Sequence, residues 1–229
     1  MEEGPKIDLA SKKAKIAILA ALAIAGAISF ICGSLDSNYG IELMSLQHLG
    51  TLLLTAPLVC DCFKNRMPMS AFAGVAVFAA VHIVGARWCY SNVPYMEWCE
   101  SLRPCLPDGF FTGRNHYDRF VHFSFGFFMF PYLLHASRKW TAGKPVFAAV
   151  MAWLLVQTGS MIYELFEWQL AVFMSPGDAD LYNGQQGDMW DAQKDMALAM
   201  AGATIPAVFC AIKSMREKKT PSICARHGS

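Results

Sequence analysis

Gly187-Asp188-Met189-Trp190-Asp191-Ala192-Gln193-Lys194-Asp195 runs straight into an apolar segment, Met196 to Ile212, long enough to cross a membrane. Read as the start of a helix, it puts Asp188, Asp191 and Asp195 at i, i+3 and i+7, on one face. A carboxylate at the centre of a spanning helix costs roughly 2.5–3.5 kcal/mol on insertion scales. Three on one stripe therefore call for cations, a metal ion or an aqueous cavity. Helix-start chemistry explains part of the pattern: Asp188 or Asp191 can cap the helix, and acids favour its positive end. It does not explain Asp195, a full turn further in.

The rest of the chain has the same character. Its 229 residues are 55% hydrophobic and 16% charged, with a formal net charge of +1. Mean hydropathy is +0.32. The apolar runs are too long and too free of charge for ordinary core helices, and no barrel-type alternation is present. The fold class read from this is all-α: a polytopic membrane protein with six transmembrane helices. The spans are Ile16–Ile31, Ile41–Cys60, Met69–Trp88, Phe120–Ala136, Pro145–Phe173 and Ala192–Ile212. The first resembles a signal-peptide core in length; it is read as a retained span, with cleavage as the alternative. Residues 1–15 form a cytoplasmic head and 16–212 the membrane domain, with an outer loop at 89–117. Residues 213–229 form a basic cytoplasmic tail. A near-neutral charge gives no reason to expect nucleic acid.

Orientation follows from positive charge. The head, the loops after spans two and four, and the tail hold fourteen Lys and Arg. The other side holds five: Arg87, Arg103, Arg114, Arg119 and Lys194. The positive-inside rule places both termini in the cytoplasm.

This topology gathers the acids. Asp118 and His122 begin span four at i, i+4; Glu164 and Glu167 end span five at i, i+3; Asp188, Asp191 and Asp195 begin span six. All lie near the outer face, with His82 and Arg87 at the same end of span three. Such a set is expected to be held either by an ion-pair network with Arg87, Arg114, Arg119 and Lys194, or by a divalent metal. Oxygen-rich ligation suits Mg, Mn or Ca, and imidazole brings Zn into range. In the metal reading, His122, His82, Glu167, Asp188, Asp191 and Asp195 are candidate ligands. Asp118, Glu164 and Asp191 are candidate catalytic acids or bases. At least four of the six acids are expected to share one ion or a bridged pair. The Glu-x-x-His pair of di-iron bundles is missing, as are the H-E-x-x-H, phosphate-loop and nucleophile-elbow motifs.

Other features have plainer readings. His48 is a packed or hydrogen-bonded histidine; His116 and His135 lie at helix ends, and His227 in the tail. The Trp and Tyr residues fall mostly at the membrane interfaces. Of the eight cysteines, Cys89, Cys99 and Cys105 share the outer loop, and two of them are expected to be close enough to pair.

The segments His82-Ile83-Val84-Gly85-Ala86-Arg87, Tyr90-Ser91-Asn92-Val93-Pro94 and Arg114 to Phe123 resemble the YjdF family of bacterial inner-membrane proteins. So do Tyr163-Glu164-Leu165-Phe166-Glu167-Trp168 and Gly187 to Met196. The resemblance runs from about Leu49 to Gly202 and rests on joint order and spacing. It departs in the outer loop, where Cys89 stands at a threonine-like position. It implies a multi-pass protein of the inner (plasma) membrane and names no reaction. The Asp-x-x-x-His on one helix, followed by acidic helices, is distantly similar to VanZ-type glycopeptide-resistance membrane proteins. Two function classes follow. One is a metal-dependent hydrolase or transferase acting at the outer leaflet on a lipid, a polyprenyl carrier or another envelope molecule. The other is a cation or proton transporter or sensor using the same acids. A structural protein with an ion-pair network is the plain alternative.

Overall fold

The computed structural model describes residues 9–108, 111, 113–142 and 144–219. Residues 1–8 of the head and 220–229 of the tail, with Lys6, Cys224, Arg226 and His227, lie outside the described residues. The described residues are all-helical: α1 (Leu9–Ser34), α2 (Gly40–Lys64), α3 (Met69–Arg87), α4 (Tyr95–Trp98), α5 (Tyr117–Trp140), α6 (Pro145–Phe173), α7 (Pro176–Asn183) and α8 (Asp191–Lys219). A 3-10 turn at Glu100–Cys105 follows α4. Start and stop chemistry is local. Asn65 ends α2 in the left-handed region, its N–H donating to the Asp61 carbonyl. Proline opens α6 and α7.

The long helices form two groups of three. α1, α2 and α3 pack on one another; so do α5, α6 and α8; α3 and α5 form the seam between them. The first core gathers Leu22, Leu58, Phe72, Val75 and Phe78 with Val121 and Met129 of α5. The second joins Phe130 and Leu134 to Ala148, Ala152 and Val156 of α6 and Ala199 and Ala203 of α8. Small residues set the spacing. A Cβ on Gly126 would strike the Ala199 carbonyl of α8, and one on Gly202 would strike the Phe123 carbonyl of α5. A Cβ on Gly74 would meet the Phe128 carbonyl from the α3 side. α5 is thus gripped through backbone contacts on two flanks.

Five helices, α1, α2, α3, α6 and α8, are long and apolar enough to cross a membrane. α5, expected as the fourth span, is not in that set; it carries Asp118, Arg119 and His122 at its start, His135 within it, and Arg138 and Lys139 at its end. It packs against α3, α6 and α8, with Asp118 and His122 buried and Arg138 and Lys139 exposed.

Three further differences from the sequence reading have physical causes. α1 begins at Leu9, within the expected head, and Lys15 is a core residue, 1% exposed. Its ammonium meets Asp61 Oδ2 at 2.7 Å and donates to Asn65 Oδ1 and the Met67 carbonyl. Asp61 Oδ1 in turn accepts from the N–H groups of Arg66 and Met67. This knot ties the first turns of α1 to the α2–α3 loop. Second, Cys89, Cys99 and Cys105 are free thiols. The turn after α3 holds Cys89 and Tyr90 at positive φ and drives Cys89 inward against Leu43, Met44 and Tyr182, while Cys105 is exposed. Burial pushes the Cys89 thiol up to about 12. Third, the loop before α8 contains α7. Its Tyr182 packs on the first turns of α2, so α7 bridges α6 to α2 at the acidic end.

Candidate functional site

The acidic end is assembled by a clasp between two loops. Asn115, just before α5, donates its backbone N–H to Gln186 Oε1 at 2.8 Å, and Gln186 Nε2 returns a bond to the Asn115 carbonyl at 2.9 Å. Arg114 donates to the Gln185 and Gly184 carbonyls. Gly184, Gln186 and Gly187 all have positive φ, which folds the chain tightly enough to make the clasp. Tyr117 anchors the start of α5 to the Val81 carbonyl of α3 at 2.9 Å. The first turns of α5 and α8 therefore lie side by side, facing the last turns of α6.

The outer layer of this end is an ion-pair network. Asp188 is bound by Arg119 and by Lys194, the latter at 2.6 Å. Lys194, first, and then the Trp190 N–H hold its carboxyl down to about 2. Asp191, 4% exposed, lies 2.6 Å from Arg114 and 3.6 Å from Arg119.

One layer further in the character changes. Asp118, His122 and Asp195 each offer a ligand atom, and these three atoms lie within 4.8 Å of one another. His122 Nε2 is 3.7 Å from Asp118 Oδ1 and 3.5 Å from Glu164 Oε1. All four side chains are buried. Among the described residues, no lysine or arginine forms an ion pair with Asp118, Asp195 or Glu164, and Asp195 Oδ1 and Glu164 Oε1 have no hydrogen-bond partner. Three carboxylates and one imidazole in a buried site need a cation or shared protons to balance their charge.

Of the remaining candidates, Arg87 is engaged elsewhere, while His82 and Glu167 border the inner layer. Arg87 is drawn off to Asp36 at 3.4 Å and stacks on Tyr39 and Trp88. His82 is bonded to the Tyr90 hydroxyl at 2.5 Å. It fills the space that Gly50 leaves open, since a Cβ there would crowd the imidazole. Glu167 is half-buried: Tyr163 donates to its carboxylate, which faces the charges of Asp118 and Glu164, and its backbone carbonyl accepts from Asn183 of α7. The residues at mutual ligand distance are Asp118, His122 and Asp195, with Glu164 beside His122 and Glu167 next to these acids. The clasp partner Gln186 and the knot of Lys15 with Asp61 had no periodic signal in the sequence.

A cavity of about 290 Å³ adjoins the inner layer. It lies between α2 and α6 and is floored by α3 and α5; Asp118, His122, Ser160 and Tyr163 line it beside Leu53, Leu54, Phe78 and Phe125. A larger groove, about 620 Å³, runs between α1 and α2 and contains no acid. The smaller cavity is the one that meets Asp118 and His122.

Residues 15–216 match the family described as "Predicted membrane protein (DUF2238)". The Inner membrane protein YjdF of Escherichia coli (strain K12) is 30% identical over 157 residues, which cover 64% of this chain and 68% of that protein. No solved structure matches the chain.

Proposed function

Because the chain belongs to the DUF2238 family of predicted membrane proteins, we propose a divalent-cation site at Asp118, His122 and Asp195 in a multi-pass inner-membrane protein. The YjdF relative is named an inner membrane protein, and the same membrane is the setting of this chain. In this reading α5 is the sixth span and both termini are cytoplasmic, as the fourteen-to-five charge asymmetry favours. The acidic end then faces outward.

The observation that carries the proposal is the inner layer itself. Three ligand atoms lie within 4.8 Å of one another on buried residues, while the nearby arginines are spent on Asp188 and Asp191. Two carboxylate oxygens and an imidazole suit Zn or Mn better than Ca, which prefers six to eight oxygens, or Mg, which keeps its waters. Asp118, His122 and Asp195 would hold the cation, which would supply Lewis-acid polarisation of a carbonyl or phosphoryl oxygen of a lipid or other envelope substrate. Glu164 stands beside His122 as the base: it takes the proton of the attacking water or hydroxyl and returns it to the leaving oxygen. The activity is a hydrolase or transferase reaction at the outer leaflet.

The test is metal content of purified full-length protein, measured by elemental mass spectrometry. Asp195→Asn and His122→Ala are expected to lose the bound ion, and Asp188→Asn to keep it. Equal content in all four proteins sinks the cation site and the enzyme reading built on it.

A further inference from the structure

We propose that the cavity between α2 and α6 holds one acyl chain of a membrane phospholipid, with Ser160 bonding the first polar oxygen of that lipid. The inference rests on the reading of Asp118 and His122 as the reacting end, but only for the direction in which the headgroup lies.

The wall chemistry is graded. Leu53, Leu54, Phe78 and Phe125 make the greater part apolar, and Asp118, His122 and the His82–Tyr90 pair stand in the wall as its polar groups. Leu53 is 68% exposed, so the cavity lies next to surface that lipid covers. Its volume is at the lower end of the roughly 300–1,000 Å³ typical of ligand pockets, suited to one chain rather than a whole lipid. An occupant that enters from the bilayer and meets both this apolar wall and these polar groups is an amphiphile.

Ser160 supplies the second observation. Hydroxyls in the long helices of this protein usually fold back on the carbonyl one turn earlier. Ser45, Thr55, Ser137, Thr158 and Thr204 all do so, at 2.7–2.9 Å. Ser160 does not. It is 2% exposed, its Oγ has no partner, and it lines the cavity. It sits one turn before Glu164 on the same face of α6. A buried hydroxyl that forgoes its own helix is costly unless a ligand oxygen satisfies it. Glycine at 159 keeps the wall thin here: a Cβ would lie 3.1 Å from Phe125 Cζ.

The experiment uses the full chain in phosphatidylethanolamine and phosphatidylglycerol vesicles doped with a phospholipid bearing a diazirine on its acyl chain. After irradiation, adducts are mapped residue by residue. Adducts are expected on Leu54, Gly159 and Tyr163, besides those on outward residues such as Ile162 and Leu165. Leu54→Trp should remove the cavity adducts, whereas Leu49→Trp, on the exposed face of α2, should leave them. Ser160→Ala should weaken lipid retention about fivefold, the size of one hydrogen bond's net contribution. Asp195→Asn should keep the adducts while losing metal, so failure of the cation site and failure of the lipid site read differently. Adducts confined to Ile162, Leu165 and other outward residues, unchanged by Leu54→Trp, overturn the proposal. So does displacement of the label by farnesyl phosphate but not by phosphatidylglycerol, which assigns the cavity to an isoprenoid.

Discussion

Lys15→Met is expected to be among the most destabilising single changes in this chain, although it removes a charge from what reads as a polar head. Lys15 is 1% exposed and its ammonium meets a carboxylate, an amide oxygen and a carbonyl. The truncation leaves Asp61 buried with only two N–H donors. Breaking a buried pair from one side costs about 3–5 kcal/mol. Asp61→Asn alone should cost a similar amount, since the ammonium then stays buried with neutral acceptors. The double variant Lys15→Met, Asp61→Asn behaves differently. Its amide oxygen still accepts from Arg66 and Met67, and no charge remains, so the two losses should not add. A coupling of about 2–4 kcal/mol is expected, within the range for a shared buried network. Unfolding of the four proteins in one detergent, followed by tryptophan fluorescence through a denaturant titration, gives the cycle. Additive losses would refute the reasoning, because they would mean that the two groups do not depend on each other.

Gly126→Ala and Gly202→Ala should each destabilise by more than the ~1–3 kcal/mol usual for overpacking, since each methyl meets a backbone carbonyl that cannot turn aside; folded yield in detergent checks this, and wild-type yield refutes it. Asp188 has a folded value near 2, below its ordinary 3.8, so it stabilises the fold above about pH 4 and that contribution is lost as pH falls towards 2. The acid limb of a stability profile should therefore flatten in that window in Asp188→Asn. Cys99 and Cys105 should react with a maleimide in the native protein, and Cys89 only after unfolding; prompt labelling of Cys89 would mean that α7 does not sit on α2.

Helix positions were largely legible. Hydropathy locates the long helices, and the α6 expectation, Pro145–Phe173, coincides with the observed helix. The facing of Asp118 with His122 follows from i, i+4 spacing alone, because periodicity is a local property. Division of the acids between arginine and the inner layer was not legible. It depends on where Arg114 reaches, and Arg114 is aimed by the Asn115 and Gln186 clasp across 71 residues of sequence. Arg87 was ambiguous for the same reason: Asp36 lies 51 residues away, in a loop whose position no repeat announces. Lys15 reads as a flanking positive charge because its partner is 46 residues distant. α7 is too short to have a periodic signature.

The enclosure of α5 bears on how the protein is made. A helix with Asp118, Arg119 and His122 near one end partitions into lipid less readily by itself than its apolar neighbours. Its closest backbone partner, α8, is synthesised after both α3 and α6. During synthesis α5 is therefore sheltered first by α3, already in place, and next by α6. The acidic end of α5 is fully covered only when α8 arrives. Chain termination before α8 removes the Gly202 face and leaves the carboxylate of Asp118 facing lipid or the insertion machinery. Quality control in the membrane has a defined substrate in such a chain: a nascent helix whose retention depends on a partner made later.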